Sequence, residues 1–290
     1  VLTSIDYVAP PGATWPNYRF YMTPPDAFEP VHIRNVTGLD PVIATVNTRG
    51  FGVVDGEFYV GSSVPKRNIV ITMGLNTIGG AATVSGARDL LYRYFLPKSL
   101  VKLQFNFDNR DPVQIDGYME SLTGDRFSQD PEMQLSVICP KPNFLSFTDY
   151  IFFGESSSSD TPNEEEILYL GDAGAGFVFE MEAGSSEVFS GDIEVRKRVG
   201  ESTGFAAMNF NGVYIPQDWT LVIDTRQGHK RVEAVPPPED DESEKINQFA
   251  TMDDVTYWMQ IFAGTNNFSV KATGISRDWR ITYRNEFVGV

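Results

Sequence analysis

Apolar and polar residues alternate in Val31-His32-Ile33-Arg34, the two-residue period of a strand with one buried face. The same period returns along almost the whole chain, at 43–48, 66–73, 100–106, 113–122 and 133–139, then at 177–181, 191–195, 204–210, 212–215, 219–224, 257–262, 267–272 and 278–285. Glycine and proline punctuate the intervals, so the chain reads as many short strands spaced by turns. That pattern points to a two-sheet sandwich or a jelly roll. One segment breaks it. In 85–95, Leu90, Leu91, Tyr94 and Phe95 share a face at helical spacing, with Ser85 as a cap and Pro97 just beyond the end. The expected fold class is mainly β with one α-helix.

The chain has 290 residues, enough for one large domain or two ordinary ones. With 41% hydrophobic and 13% aromatic residues it is too apolar to stay disordered. No apolar run nears the ~20 residues that span a bilayer. The opening residues also lack the basic start and apolar core of a signal peptide, so no membrane insertion is expected. Cys139 is the only cysteine, which excludes an internal disulfide and a multi-cysteine metal site. It closes an alternating run and reads as a buried thiol, in keeping with synthesis in a reducing cytoplasm.

The net charge of -16 argues against a dedicated nucleic-acid binder, which needs a basic footprint. Residues 1–145 carry 12 Lys/Arg against 14 Asp/Glu, a net of -2; residues 146–290 carry 11 against 25, a net of -14. The break at Pro140 and Pro142 falls at this change of surface chemistry, so two domains are expected, 1–145 and 146–290. Residues 1–30, with six prolines among aromatics, read as an extended arm whose Trp15, Tyr18, Phe20 and Tyr21 are candidate subunit contacts. Residues 49–59 read as a glycine-punctuated loop, and 154–166 and 236–244 as solvated acidic loops. Near the end, Trp279, Ile281 and Tyr283 share one face and Arg280, Thr282 and Arg284 the other, the pattern of a closing strand tied into the second sheet system.

Catalytic constellations are poorly supplied. His32 alternates within a strand on its polar face, and His229 sits in a basic hairpin turn. There is no Gly-x-Ser-x-Gly elbow, no His-Glu-x-x-His and no P-loop pattern. Same-face acids, Glu180 with Glu182 and Asp192 with Glu194, are the parts a β-sandwich glycoside hydrolase would use, and equally what a solvated sheet shows. Trp219, Trp258 and Trp279 are candidate glycan contacts, because an indole face can stack on a pyranose, though each sits among apolar strand neighbours. Residues 239–242 lack the ligand spacing that would wrap a calcium ion. No catalytic, cofactor-binding or metal-ligating residue is assigned.

The ordered set of features resembles the distal tail protein family of siphophages over nearly the whole chain. The matching items in the first half are the Gly38-Leu39-Asp40-Pro41 turn, the 66–73 strand and the Asp89-Leu90-Leu91 helix. Ile115-Asp116-Gly117-Tyr118 and Cys139-Pro140-Lys141-Pro142 complete that half. In the second half they are Asp218–Thr225, the Ala263-Gly264-Thr265-Asn266 turn, and Ile281-Thr282-Tyr283-Arg284 with Gly289-Val290. The proline-rich arm and the 236–244 loop depart from the pattern. The resemblance implies a ring-forming N-terminal β domain with one helix and a galectin-like C-terminal β-sandwich. It further implies a non-enzymatic virion protein of the phage tail tip, made in the host cytoplasm and without cofactors. That protein would assemble as a homohexameric ring between tail tube protein and tail-tip hub protein, with side fibres or receptor-binding proteins as further partners. DNA would pass through the ring without specific binding. The competing reading is a carbohydrate- or receptor-binding sandwich module of a tail tip.

Overall fold

The structure, a computed structural model, describes residues 1–9, 16–23, 29–52, 55–78, 81–124, 128–185, 187–199, 205–237, 245–254, 257–274 and 276–290. It is mainly β with a single α-helix among the described residues, and it divides into two compact units. The first comprises Val1–Phe147 and Phe287–Val290, the second Thr148–Glu286.

The first unit contains β1 (Leu2–Val8), β2 (Tyr18–Tyr21), β3 (Val31–Thr37), β4 (Thr45–Gly50), β5 (Glu57–Ser63) and β6 (Arg67–Leu75). After helix α1 (Ala81–Tyr94) come β7 (Leu100–Phe107), β8 (Val113–Gly124), β9 (Glu132–Cys139) and β10 (Phe144–Ser146). Strands β1, β2, β3, β6, β9, β8 and β7 pair in that order, and β7 pairs back to β1, closing a barrel. Closure removes the open edges that an alternating sheet otherwise presents. The inward residues include Ile5, Phe20, Ile33, Ile71, Leu103, Phe105, Leu135 and Val137, all buried. Helix α1 adds Ala87, Leu91, Tyr94 and Phe95 to the same core. Tyr7 meets Tyr94 and Phe95 edge-on at ring separations of 5.1 and 5.9 Å, a favoured aromatic geometry.

Three expectations for this half are corrected. The described residues of 1–30 do not form a free arm: β1 lies between β2 and β7, and Phe20 is 1% exposed. Tyr18 packs against the core and Tyr21 pairs with Ser4, because these aromatics alternate in step with the barrel wall. Trp15 lies outside the described residues. The helix begins at Ala81, so Ser85 is an interior position and not its cap; Ala81 and Ala82, the strongest helix formers, carry the helix one turn further back. The segment 49–59 is not wholly a loop: Arg49 and Gly50 close β4 and Glu57–Tyr59 open β5, with Arg49 paired to Phe58 and Gly50 to Glu57.

The second unit contains β11 (Tyr150–Glu155), β12 (Glu165–Tyr169), β13 (Phe177–Glu182), β14 (Phe189–Val199), β15 (Ala206–Ile215), β16 (Thr220–Asp224), β17 (Arg231–Val235), β18 (Ile246–Asn247), β19 (Gly264–Ala272) and β20 (Asp278–Tyr283). They form a six-stranded sheet, β11-β20-β13-β16-β17-β18, and a four-stranded sheet, β12-β19-β14-β15. The two sheets enclose one core, making a sandwich. Phe177 of the first sheet meets Phe268 of the second edge-on at 5.4 Å. Asn266, fully buried, fixes the predicted 263–266 turn: it donates to the carbonyls of Phe262 (2.7 Å) and Gly264 (2.9 Å) and accepts from the Phe262 N–H. The expected strand at 257–262 is reduced to a bridge between Ile261 and Ala175. The expected strands 204–210 and 212–215 are one strand, which crosses Gly212 in the left-handed region (φ 67°).

The closing run also differs from its reading. Strand β20 ends at Tyr283, and β21 (Glu286–Phe287) pairs with β10 at the edge of the barrel sheet. Val290 donates its N–H to the Leu39 carbonyl, and Gly289 sits so close to Pro41 that a Cβ there would come within 2.7 Å of its ring. Arg67 holds this end in place. Its guanidinium, 2% exposed, donates to the carbonyls of Pro142 (2.6 Å), Asp40 (2.7 Å), Gly38 and Val288. The same group lies 4.5 Å over the Phe144 ring.

Replacing Arg67 by Met would leave four carbonyls without their donor in a dry site. We expect the change to cost about 3–5 kcal/mol, read as a lower urea midpoint, with Arg67→Lys recovering only part. An unchanged midpoint in Arg67→Met would show that the clamp is not structural.

Candidate assembly surface

Strands β4 and β5 form a two-stranded sheet of their own, paired from Thr45↔Ser63 to Gly50↔Glu57 with a bulge between Asn47 and Thr48. Among the described residues no barrel strand pairs with either. None of their residues is buried. Yet the hairpin and its flanks carry Ile43 (87% exposed), Val46, Phe51, Phe58, Tyr59 (64%), Val60 and Val64 in the open. Phe51 and Phe58 meet each other at 5.5 Å. Polar support is thin: Thr48 donates to Glu57, and Tyr59 bonds Ser62 at 2.8 Å. A lone hairpin is marginal in water, and an apolar patch of this kind on a soluble protein marks an interaction surface. Sequence reasoning missed it because the glycines at 50, 52, 56 and 61 mimic a loop. The alternation of Phe58 and Val60 with Tyr59 was the available signal.

Other candidates resolve into structure. Trp279 is 2% exposed, with Phe179 stacked at 6.0 Å and Phe152 at 6.2 Å, so neither indole face is open to a pyranose. Trp219 and Trp258 are half-buried against the same core, and Trp258 is covered by Phe249 at 6.0 Å. The three are not brought together into one exposed platform. His229 is exposed in the β16–β17 turn, where its N–H bonds the Arg226 carbonyl. His32 is half-buried beside Arg34, and burial followed by the Arg34 charge lowers its pKa. Three of the four acids of the paired-carboxylate reading are engaged. Glu180 holds Arg280 through two bonds (2.6 and 3.0 Å), Glu194 holds Arg196 (2.7 Å), and Asp192 accepts the Gly212 N–H (2.8 Å). Among the described residues no cluster of His, Cys, Asp and Glu is arranged to hold a metal. The acidic run 239–242 lies outside the described residues. Cys139 is fully buried, and burial pushes its thiol up to about 12 while Arg67 pulls it back, so it is no nucleophile.

Lys197 went unnoticed in the sequence because a lysine on an alternating strand reads as surface. It is 4% exposed, donates to the Gln260 carbonyl, and lies 4.3 Å over the Phe262 ring. Burial lowers its pKa to about 8. Unfolded chains protonate a lysine below about 10.5, so between about 8 and 10.5 the unfolded state holds more protons. This group's stabilising contribution is therefore fullest above that window and is lost as pH falls through it. We expect Lys197→Met to gain stability relative to the parent on going from pH 10 to pH 7, by roughly 2 kcal/mol. Chemical denaturation at the two pH values measures it, and a pH-independent difference would refute the burial account.

No family model matches the chain, and no curated protein matches it. Its fold is similar to that of solved phage structures. One is the SPP1 Dit (gp 19.1) protein, described as a paradigm of the hub adsorption apparatus in Gram-positive infecting phages, with TM-score 0.63, 14% identity, and 99% of each chain covered. Another is a chain of the phage P2 baseplate in its activated conformation with Ca, with TM-score 0.47, 11% identity, and 97% of this chain and 98% of that one covered. From end to end, this chain has the fold of the SPP1 Dit protein.

Proposed function

We propose that this protein is a structural subunit of a phage tail tip, which assembles with copies of itself into a ring joining the tail tube to the host-recognition apparatus. The observation that carries the reading is the β4–β5 hairpin: its large apolar side chains are left in water, while every barrel strand has its partners. The full-length likeness to the SPP1 Dit fold supports the same role. A ring of identical subunits needs a heterologous contact, in which one patch meets a different patch on the next copy. A projecting hairpin with two open edges suits that geometry, because its unpaired backbone groups accept a neighbour's strand. Six subunits, a bore that continues the tube for passing DNA, and docking to tail tube and hub proteins complete the reading. In a virion the protein would act by holding geometry, without catalysis or cofactor.

Native mass measurement tests this reading. The parent protein is expected as a closed ring, and Phe58→Ser with Val60→Asp as a monomer with an unchanged circular dichroism spectrum. The substitutions remove apolar contact from the hairpin's side of every interface, so association should weaken by at least a hundredfold, on the order of 3 kcal/mol. A parent that stays monomeric at high concentration, or a ring indifferent to both changes, would overturn it.

A further inference from the structure

A second surface, on the sandwich, points to a partner of different chemistry. Glu155, Glu165, Glu180, Glu182 and Asp278 line a cleft of about 530 Å3 in which Arg280 is the one cation among the described residues. Arg280 is already committed to Glu180. Among the described residues Glu155, Glu165, Glu182 and Asp278 form no ion pair, so the cleft keeps an uncompensated negative charge. Trp279 lines the same cleft, and its Nε1–H is buried with no hydrogen-bond partner among the described residues. The benzo ring of the indole lies against β11 at Gly154, where a Cβ would fall 2.2 Å from Cζ2 and 2.5 Å from Cε2. An indole N–H can only donate, so what it lacks is an acceptor such as a carbonyl oxygen.

The strand beside the cleft is open. β11 ends the six-stranded sheet, and its free side pairs with no strand among the described residues. Its outward side chains Ile151 and Phe153 are 55% and 67% exposed. Natural edge strands are usually blunted by charge, proline or a cover; this one presents two apolar side chains.

We propose that the open edge of β11 and the acidic cleft beside it form a docking site for an extended, basic polypeptide segment of another protein. The segment adds as a strand to β11, so its backbone takes the edge hydrogen bonds and supplies carbonyl acceptors near the Trp279 edge. Every second side chain of an added strand points to one face. Alternate lysines or arginines therefore enter the cleft, while apolar residues between them meet the sheet edge. Charge complementarity selects the sign of the partner: an acidic segment meets four unpaired carboxylates and is repelled. The site is separate from the β4–β5 hairpin, and its test does not depend on ring formation.

The test uses the full-length protein and a fluorescent peptide of roughly six residues alternating lysine and valine, the length of an ordinary strand. Its counterpart with glutamate for lysine, free spermine and calcium serve as competitors. The expected results are saturable binding by anisotropy, weakening about tenfold or more in Glu165→Gln/Glu182→Gln/Asp278→Asn, and a shifted Trp279 indole proton resonance. The three changes lie at the surface; should the triple variant fold poorly, Glu182→Gln alone is expected to weaken binding by a smaller factor. Equal binding to parent and neutralised protein overturns the proposal. So does displacement by spermine or calcium at the peptide's own concentration, which would reduce the cleft to a general cation sink.

Discussion

One guanidinium, that of Arg67, ties together stretches of chain that no strand pairing unites. Four carbonyls converge on it, from the Gly38 turn, Asp40, Pro142 and Val288. Among the described residues it forms no ion pair, and burial lowers its pKa, with Cys139 and Asp40 acting against that. A buried cation held only by backbone dipoles is stable when each dipole is fixed, which makes the group intolerant of slack. The turn at Gly38 obeys the same demand. Its φ is 87°, and a Cβ there would fall 2.1 Å from the Asn68 carbonyl oxygen, so glycine is the residue that lets the turn approach β6. The barrel supplies apolar burial, while Arg67 registers the turns and the returning end against it.

This clamp explains why a set of weak sequence features could be informative together. The Gly38–Pro41 turn, the strand beginning at Arg67, the Cys139–Pro142 break and the final Gly289-Val290 are each unremarkable alone. In the structure all four meet at one side chain or its immediate surroundings. In the second unit the Ala263–Asn266 turn is likewise explained by a single buried amide. Strand positions were legible because a half-buried sheet writes its period into the chain. Misreadings came where composition and tertiary context disagreed. Proline density around β1 and β2 suggested an arm, but the residues between the prolines alternate with the barrel wall. Glycine density around β4 and β5 suggested a loop, but those strands pair with each other, and apolar burial never had the chance to mark them.

The polar chemistry of the chain is spent mainly on geometry. Three of the four carboxylates that looked like catalytic pairs hold an arginine or a bulge amide, and Trp279, one of three indoles considered as sugar platforms, is packed into the sandwich core. The groups left over are of two kinds. Apolar side chains on β4 and β5 lack a cover, and carboxylates beside β11 lack cations. These deficits differ in kind, one dry and one charged, so they suit different neighbours. A dry deficit favours a permanent contact between like copies. A charged one favours faster, salt-sensitive recognition.

The pairing of β10 with β21 has a mechanical meaning. The chain leaves the first unit just after β10 and comes back through β21, its hydrogen-bonded neighbour. Both covalent leads to the sandwich therefore start within about one strand spacing of each other. Arg67 grips the returning lead at Val288, so both leads are fixed at neighbouring positions of one sheet edge. The seven strands that close the barrel all precede Thr148, so its ring of strand pairings is complete without any residue of the second unit.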